Sequence, residues 1–499
     1  MSDQILTPAA RWPYPQVSRE ALCASGLLLA DVSALLLAAL LANTLHWLYR
    51  ENENAAFFEL WHGARAEDRL LILALLATVA IATFWLLGHY NRRRPFWDEL
   101  AELLRVLVLL AALDAMLLYL AKLPFSRAWF ISLWCSAMVL IPSLRLLTKF
   151  LLLKLKLWQR LAIVLGCGRN AWEAAVALQS ERAMGFDVVA FAIPQTADGN
   201  GERSIRIDDH RLVPLIRFDP NDPHSLTRSD HVALVVAYDQ QDEFTSQINL
   251  ISRLHRRRGD LYVAPPLRGL PLYGTRISYV FRHEVLFLSL RNNLARRGPR
   301  ILKRAFDLVM SGFLLLAGAP VLICLASCIR RDGGSVFFGH WRIGRHGRPF
   351  RCLKFRTMVP NAEAVLEQVL ATDPAARAEW DRDFKLKHDP RITPLGRLLR
   401  CYSLDELPQL WNVFKGEMSL VGPRPIVASE LERYGEDSEL YLETRPGITG
   451  LWQISGRNDT GYAERVHLDA WYAKNWSLWM DIVILLKTIR VVLRHDGAY

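Results

Sequence analysis

The sequence predicts a membrane protein of mixed fold class: a four-helix transmembrane bundle, a Rossmann-like α/β domain, and a mainly α-helical C-terminal domain opened by a proline-broken helix. Three observations predict this. Four apolar segments lie near the N-terminus, strand-like and helical patterns alternate in the middle, and a fifth apolar segment containing Pro320 precedes a region rich in glycine, proline and arginine. At 499 residues the chain has room for three domains. We place their boundaries at 1–158, 159–270, 271–300 (a hairpin and basic linker) and 301–499.

The four N-terminal apolar segments have the length of transmembrane helices. The chain is 52% hydrophobic and only 22% charged, and each segment is near the ~20 residues that cross the hydrocarbon core. A cleaved signal peptide is not expected, because no small-residue cleavage site is followed by a soluble domain. The predicted spans are Ala21–Leu45, Leu70–Tyr90, Leu103–Ala121 and Ala128–Phe150.

Basic residues predict the orientation of these spans. Arg92, Arg93 and Arg94 lie between the second and third spans, and five more basic residues lie from position 145 to position 160. The loop between the third and fourth spans has only two, Lys122 and Arg127. The positive-inside rule therefore places both termini, and everything after residue 150, in the cytoplasm. The clustering of basic residues beside apolar spans also favours membrane lipids, and not nucleic acid, as the partner.

Two carboxylates lie inside the spans, Asp31 and Asp114. An intramembrane carboxylate is a functional-site hypothesis by default. We favour interhelical hydrogen bonding instead, because no matching basic residue is expected in mid-span. The seven cysteines are scattered, have no zinc-like spacing and are expected to be free thiols.

The middle region predicts a parallel α/β layer. Strand-like runs alternate with helical stretches such as Glu243–His255, as in parallel sheets. The runs are Leu161–Leu165, Asp187–Ile193, Val213–Phe218, His231–Tyr238 and Leu261–Ala264.

The first strand of this layer ends in the turn Gly166–Ala171, with the pattern Gly-x-Gly-x-x-Ala. Such a turn can hold a phosphate at a helix N-terminus. No acidic residue ends the second strand, where a ribose-binding group is expected, so a structural or regulatory domain is favoured over dinucleotide chemistry. After this domain, Leu272–Leu290 reads as a β-hairpin around Arg282–Glu284, and we expect its edges to support a homodimer.

The fifth apolar segment, Ala305–Ile329, follows the basic linker Arg291–Arg304 and contains Gly318-Ala319-Pro320. Proline removes a helix hydrogen bond and bends the axis. By these residues alone, a helix that dips into the membrane and returns and a kinked helix that crosses it are equally supported.

The polar C-terminal region contains the adjacent carboxylates Asp405 and Glu406 in an arginine-rich setting. One carboxylate can act as nucleophile or base and another can bind a divalent metal, while guanidinium groups bind phosphate. A solvated acidic turn is the ordinary alternative for any such pair. The number of arginines beside glycine and proline turns favours a site for more than one phosphate.

An ordered series of motifs makes residues 301–499 similar to the bacterial polyprenyl-phosphate sugar-1-phosphate transferases, which are monotopic phosphoglycosyl transferases. With four spans and a Rossmann-like domain ahead of it, the chain resembles the large-form members, and His340 and Arg494–Tyr499 most resemble the undecaprenyl-phosphate galactose phosphotransferase branch. The motifs are Lys303-Arg304-x-x-Asp307, the proline-broken helix, Lys354–Met358, Asp389–Thr393, Ser403–Gln409, Asn412–Pro425 and Gly447–Arg457.

The resemblance implies a ping-pong reaction. Asp405 is expected to attack the β-phosphate of a UDP-hexose, to release UMP and to form an aspartyl-phosphosugar, from which undecaprenyl phosphate takes the sugar phosphate. Glu406 is expected to bind Mg²⁺, and the helix 305–330 to be re-entrant with its break at Pro320. The expected phosphate-binding residues are Lys303, Arg304, Asp307, Arg342, Lys354, Arg356, Arg391, Arg400 and Arg424.

The resemblance further implies the bacterial inner membrane, with the catalytic domain on its cytoplasmic face, and the first step of lipid-linked O-antigen, capsule or exopolysaccharide synthesis. Galactose is the expected sugar and UDP-glucose the alternative donor. A membrane-anchored nucleotide-sensing scaffold is the alternative of another class. An NAD-dependent epimerase or dehydratase needs a Tyr-x-x-x-Lys pair, and residues 161–265 contain no lysine.

Overall fold

The structure is a computed structural model that describes most of the chain. The described residues are 16–49, 66–122, 126–195, 203–208, 211–219, 232–239, 261–267, 269–279, 286–290, 292–331, 333–383, 386, 389–456 and 461–494. The predicted helix Glu243–His255 and the hairpin turn Arg282–Glu284 lie outside these residues. The chain divides into two compact units, Met1–Leu267 and Arg268–Tyr499.

Four long apolar helices begin the first unit: α1 Gln16–Tyr49, α2 Ala66–Leu86, α3 Phe96–Leu120 and α4 Arg127–Lys154. By length and composition each is able to cross a membrane. Helix α1 packs closely against α4, because alanines repeat every four residues on its buried face at Ala30, Ala34, Ala38 and Ala42.

The structure corrects the expectation that the intramembrane carboxylates lack basic partners. Asp31 accepts hydrogen bonds from Arg145 Nε at 2.7 Å and Nη2 at 2.6 Å, and Asp114 accepts from Arg69 Nη1 at 2.6 Å. Arg69 lies one position before the predicted span Leu70–Tyr90 but within α2, whereas Arg145 lies inside the predicted span Ala128–Phe150, toward the C-terminal end of α4. The carboxylates do join helices, but as buried ion pairs.

The ion pair of Arg145 belongs to a larger buried network. Arg145 Nη1 donates to Glu99 Oε1 at 3.0 Å, Lys149 pairs with the other Glu99 oxygen, and Tyr90 donates to Asp31 at 2.6 Å. Pairing and hydrogen bonding offset part of the cost of burying these charges in apolar surroundings.

A six-stranded sheet follows, with the order β3-β4-β2-β1-β5-β6. Strands β1, β2, β4, β5 and β6 are parallel neighbours, and β3 pairs antiparallel to β4 at the edge. The five predicted runs are all strands here, and β3 is the strand that sequence analysis missed. The bounds are β1 Arg160–Leu165, helix α5 Arg169–Ser180, β2 Phe186–Pro194, β3 Ser204–Asp208, β4 Arg211–Phe218, β5 Ala233–Val236 and β6 Leu261–Val263.

The second unit begins with an antiparallel pair at the predicted hairpin, β7 Arg276–Tyr279 and β8 Leu286–Ser289. Helix α6, Arg297–Arg330, follows and is continuous through Pro320. The predicted break is therefore not an interruption of the helix. An antiparallel pair, β9 Phe337–Ile343 and β10 Pro349–Phe355, then leads into a mainly helical region.

Short elements complete the second unit around several apolar clusters, to one of which α6 contributes Phe306, Met310 and Leu315. The elements are α7 Ala362–Thr372, α8 Pro374–Asp383, α9 Pro394–Cys401, a 3-10 turn Leu404–Glu406, α10 Gln409–Lys415, β11 Ser419–Val421, α11 Ala428–Leu431, α12 Ser438–Glu443, β12 Gly447–Thr449, α13 Leu451–Ile454, α14 Tyr462–Asn475 and α15 Leu478–Arg494.

Candidate active site

Asp405 and Glu406 lie on the 3-10 turn Leu404–Glu406. Ser403, which precedes the turn, adopts a left-handed backbone with φ of 54°, a conformation that costs energy for a residue with a Cβ. The turn faces a cleft of about 2540 Å³. Asp405 is 9% exposed, and Glu406 is more open to the cleft, so the two neighbours have different surroundings.

Lys354, on β10, contacts both carboxylates. Its Nζ lies 2.6 Å from Glu406 Oε1 and 3.6 Å from Asp405 Oδ2. Burial raises the pKa of the Asp405 carboxyl, and the charge of Lys354 opposes this. Burial by itself would lower the pKa of Lys354, but Glu406 and Asp405 raise it above its ordinary value. The ammonium therefore stays charged beside the pair.

Three arginines line the same cleft without contacting the carboxylate pair. Arg342 is 3.6 Å from Glu430, Arg400 Nε donates to Thr357 Oγ1 at 3.0 Å, and the exposed Arg424 lies over the ring of Trp452 at 5.3 Å. Burial lowers the pKa of Arg400, yet arginine remains cationic at any physiological pH. These guanidinium groups can bind phosphate oxygens in the cleft.

Two further predicted residues line the cleft but have protein partners. Arg391 makes a two-nitrogen pair with Asp389, with Nη2 to Oδ2 at 2.6 Å, and Arg356 Nη2 donates to the carbonyl of Ile329 at the end of α6 at 3.1 Å. They hold the walls of the cleft in place through these contacts.

Lys303, Arg304 and Asp307 are not among the residues that line the cleft. Lys303 is buried and pairs with Asp481 at 2.7 Å, Arg304 donates to the carbonyls of Val413 and Phe414, and Asp307 accepts from Ser419 Oγ and Leu420 N. These contacts anchor helix α6 to the rest of the domain. A role in phosphate binding stays a prediction for all three.

Sequence analysis missed the partners of several residues in or beside the wall of the cleft. Glu430 lies between Arg342 and Arg465, and Trp452 carries both Arg424 and Arg465 over its ring. Asp481 is a single carboxylate in the apolar helix α15, which was the one available signal for a buried partner of Lys303.

The carboxylate pair suits a metal that a substrate completes. Among the described residues no group of three or more His, Cys, Asp or Glu side chains could hold a metal by itself. Mg²⁺ is commonly bound through one or two carboxylates together with substrate phosphates and water. Glu406, the more open of the pair, together with a diphosphate fits that pattern.

The glycine turn of the first unit holds a carboxylate at the position where a nucleotide phosphate would lie. Asp239 Oδ1 accepts from the backbone N–H of Asn170, in the first turn of α5, at 2.9 Å. A Cβ on Gly168 would lie 1.8 Å from Asp239 Oδ2. The glycine is therefore required for close approach of an internal carboxylate, which supports the structural interpretation of this turn.

The fold and the site define a protein with long apolar helices and an arginine-lined cleft suited to phosphate groups. Residues 298–495 match the family model described as bacterial sugar transferase. The chain is 48% identical, over 87% of its length and 89% of the relative, to undecaprenyl-phosphate galactose phosphotransferase of Salmonella typhimurium. The chain belongs to the bacterial sugar transferase family, which confirms the prediction of a phosphosugar transferase.

Two other relatives show the range of the family. UDP-galactose-lipid carrier transferase of Erwinia amylovora is 48% identical over 85% of this chain and 87% of the relative. UDP-glucose:undecaprenyl-phosphate glucose-1-phosphate transferase of Escherichia coli is 39% identical over 52% of this chain and 49% of that protein. The similarity to the Salmonella and Erwinia relatives covers the greater part of this chain and of each relative.

Proposed function

We propose that this protein transfers hexose-1-phosphate, with galactose as the first candidate, from a UDP-hexose to undecaprenyl phosphate and releases UMP. The observation that carries the proposal is the buried carboxylate of Asp405 in a cleft lined by Arg342, Arg400 and Arg424. The names of two relatives, which mention galactose and a lipid carrier, support both substrates.

In the first half-reaction, a carboxylate oxygen of Asp405 attacks the phosphorus that bears the sugar. The bond from that phosphorus to the UMP oxygen breaks, and UMP leaves with the electron pair. The product is an aspartyl-phosphosugar, a covalent intermediate of the kind that carboxylates form in phosphoryl transfer. The cleft arginines stabilise the charge that develops on the phosphate oxygens.

In the second half-reaction, a phosphate oxygen of undecaprenyl phosphate attacks the same phosphorus and the Asp405 carboxylate leaves. Glu406 would hold Mg²⁺, which neutralises phosphate charge when bound. Because Asp405 is regenerated, one carboxylate serves both steps, and the lipid diphosphate leaves toward the membrane.

Residues of α6 that line the cleft support a path for the lipid along this helix. Leu314, Ala317, Gly318, Val321 and Leu322 recur at helical spacing and all line the cleft. One apolar face of the helix is therefore open to the same space as Asp405. The first isoprene units can follow this face while the phosphate remains with the arginines.

A re-entrant course of α6 is supported by its contacts at both ends. Phe306 and Leu315 pack in one core cluster, Leu325 and Ile329 pack in another, and Leu407 beside the catalytic turn contacts both. Many residues of the helix, such as Leu316, are exposed. Proline inside a helix bends its axis, so this arrangement fits a continuous helix that enters lipid, turns at Pro320 and returns on the cytoplasmic face of the inner membrane.

The test uses purified protein in nanodiscs with Mg²⁺. Without lipid acceptor, UDP-galactose should release UMP in an amount equal to the enzyme and should add one hexose phosphate to its intact mass. Asp405→Asn should lower UMP release at least ~10³-fold, since it removes the attacking group. Undiminished release in that variant would exclude Asp405 as nucleophile.

UDP-galactose and UDP-glucose in separate parallel reactions decide the sugar, because the two hexose phosphates have equal mass and only the rate of mass addition distinguishes the donors. The Escherichia coli relative, whose name specifies UDP-glucose, is the observation that keeps glucose as the second candidate. Faster mass addition from UDP-glucose would reassign the donor without changing the mechanism. A homodimer through β7 and β8 and a place in the first step of O-antigen, capsule or exopolysaccharide synthesis complete the proposal.

A further inference from the structure

Lys354 forms an ion pair with Glu406, the carboxylate at which the proposed metal would bind. Its Nζ is 2.6 Å from Glu406 Oε1 and 3.6 Å from Asp405 Oδ2. The side chains of Lys354 and Glu406 are 37% and 34% exposed, so a metal ion can reach the pair from the cleft. Two cations cannot both contact the same carboxylate oxygen at these distances without strong repulsion.

Three other basic residues of the cleft are paired with other groups. Arg342 is paired with Glu430, Arg400 with Thr357, and Arg391 with Asp389. In the part of the chain that the structure describes, Lys354 is the cation that lies within 4 Å of Asp405 or Glu406. Competition for Glu406 therefore concerns this ammonium alone.

Lysine suits such an exchange. Its ammonium is a compact charge on a flexible four-carbon stem, with donors that need no fixed plane, whereas an arginine pair would be held by two parallel hydrogen bonds. When displaced from Glu406, the ammonium remains in a cleft whose expected contents are the phosphates of the donor. A phosphate oxygen is a hydrogen-bond partner of the same charge type as the carboxylate it left.

We propose that Lys354 is a placeholder cation that pairs with Glu406 and Asp405 in the metal-free protein and moves to the donor diphosphate when a divalent cation takes Glu406. The inference rests on the proposed metal at Glu406. Its consequence is that metal binding releases a phosphate-binding group, so metal and donor favour each other's binding.

The test measures Mn²⁺ binding to the full-length protein in nanodiscs by electron paramagnetic resonance, with no nucleotide or lipid acceptor. Lys354→Met should bind Mn²⁺ roughly 3- to 10-fold more tightly than the unmodified protein, which is the range for a partly exposed charge pair with one charge-assisted hydrogen bond. Arg342→Met, which removes a cleft cation that does not contact the pair, should change the affinity less than about twofold.

Two further variants make the result specific. In a Glu406→Gln background, Lys354→Met should give no gain, because the contested carboxylate is absent. Lys354→Gln, checked with Lys354→Met for an unchanged melting temperature, provides a second folded variant. Equal or weaker Mn²⁺ binding in both Lys354 variants would overturn the proposal.

Donor binding supplies the second measurement. At saturating Mn²⁺, Lys354→Met should bind UDP about tenfold more weakly than the unmodified protein, since the released ammonium is missing. Unchanged UDP affinity would show that the ammonium does not move to the phosphates. Neither measurement uses sugar transfer, so absent UMP release would reject the proposed function while leaving the exchange at Lys354 testable by itself.

Discussion

The buried pair of Lys303 and Asp481 allows a sharp test of what the start of α6 does. Asp481 accepts from Lys303 Nζ at 2.7 Å, Tyr472 OH at 2.7 Å and Trp476 Nε1 at 3.0 Å. Lys303 also donates to the carbonyl of Val421 at 3.1 Å. Lys303→Met keeps the length of the side chain and leaves the Asp481 carboxylate with neutral donors alone.

The expected loss is large because the remaining charge is buried. Breaking a buried ion pair by removing one partner costs about 3–5 kcal/mol, and for a domain of this size that corresponds to a melting temperature lower by roughly 6–20 °C. The double variant Lys303→Met with Asp481→Asn should recover at least half of the loss, because the uncompensated charge is gone while an acceptor oxygen for Trp476 remains.

Thermal unfolding of the protein in nanodiscs measures the effect, together with the KM for undecaprenyl phosphate. Arg304→Met is the matched control: it removes the neighbouring cation, which caps α10 from a half-buried position, and should cost only about 1 kcal/mol. If Lys303→Met kept its melting temperature and raised the KM for the lipid instead, Lys303 would be a phosphate ligand and the structural interpretation would be refuted.

Three more predictions concern the two units. Burial raises the pKa of Asp405, and the charge of Lys354 opposes this rise, so UMP release should fall as pH drops through a pKa above the ordinary ~3.9. Lys354→Met should shift this acid-side fall in rate to higher pH. A pH–rate profile with the same acid-side fall in the variant and the unmodified protein would contradict this. Ser403 has a φ of 54°, so Ser403→Gly should keep the melting temperature and kcat. Ser403→Val should lower the free energy of unfolding by roughly 1–2 kcal/mol and should lower kcat. Equal results for both variants in calorimetry and in UMP release would argue against strain at this position. Gly168→Ala should destabilise the first unit by roughly 1–3 kcal/mol, because its Cβ would lie 1.8 Å from Asp239 Oδ2. The variant should therefore be cleaved faster in limited proteolysis, and adding Asp239→Ala should restore resistance. A Gly168→Ala variant as resistant as the unmodified protein would reject the close approach.

Patterns local in the chain were predictable from the sequence. A helix that crosses a bilayer needs about 20 apolar residues, and this criterion found all five long apolar helices from hydropathy. Buried parallel strands are continuous apolar runs, so five strands were found, whereas the short edge strand Ser204–Asp208, with exposed residues, had no such run. Asp405 and Glu406 were found because adjacent carboxylates among arginines are a local signal.

The partners of charged residues were not predictable. Arg145 and Asp31 are 114 positions apart, and Lys303 and Asp481 are 178 positions apart. Residue type indicates that a buried charge requires a partner but does not say which one, because the partner depends on which helices pack together. The family resemblance assigned Lys303, Arg304 and Asp307 to the lipid phosphate, and it gave no sign of the protein groups that each of them contacts.

The sequence by itself determined the long apolar helices, the α/β layer, the family and the carboxylate pair, because each depends on the spacing or order of neighbouring residues. Only the tertiary structure decided that Asp405 is buried while Glu406 faces the cleft, that Lys354 contacts both, and that Asp239 fills the glycine turn. Those facts depend on distances between segments far apart in the chain, which packing sets and local pattern does not.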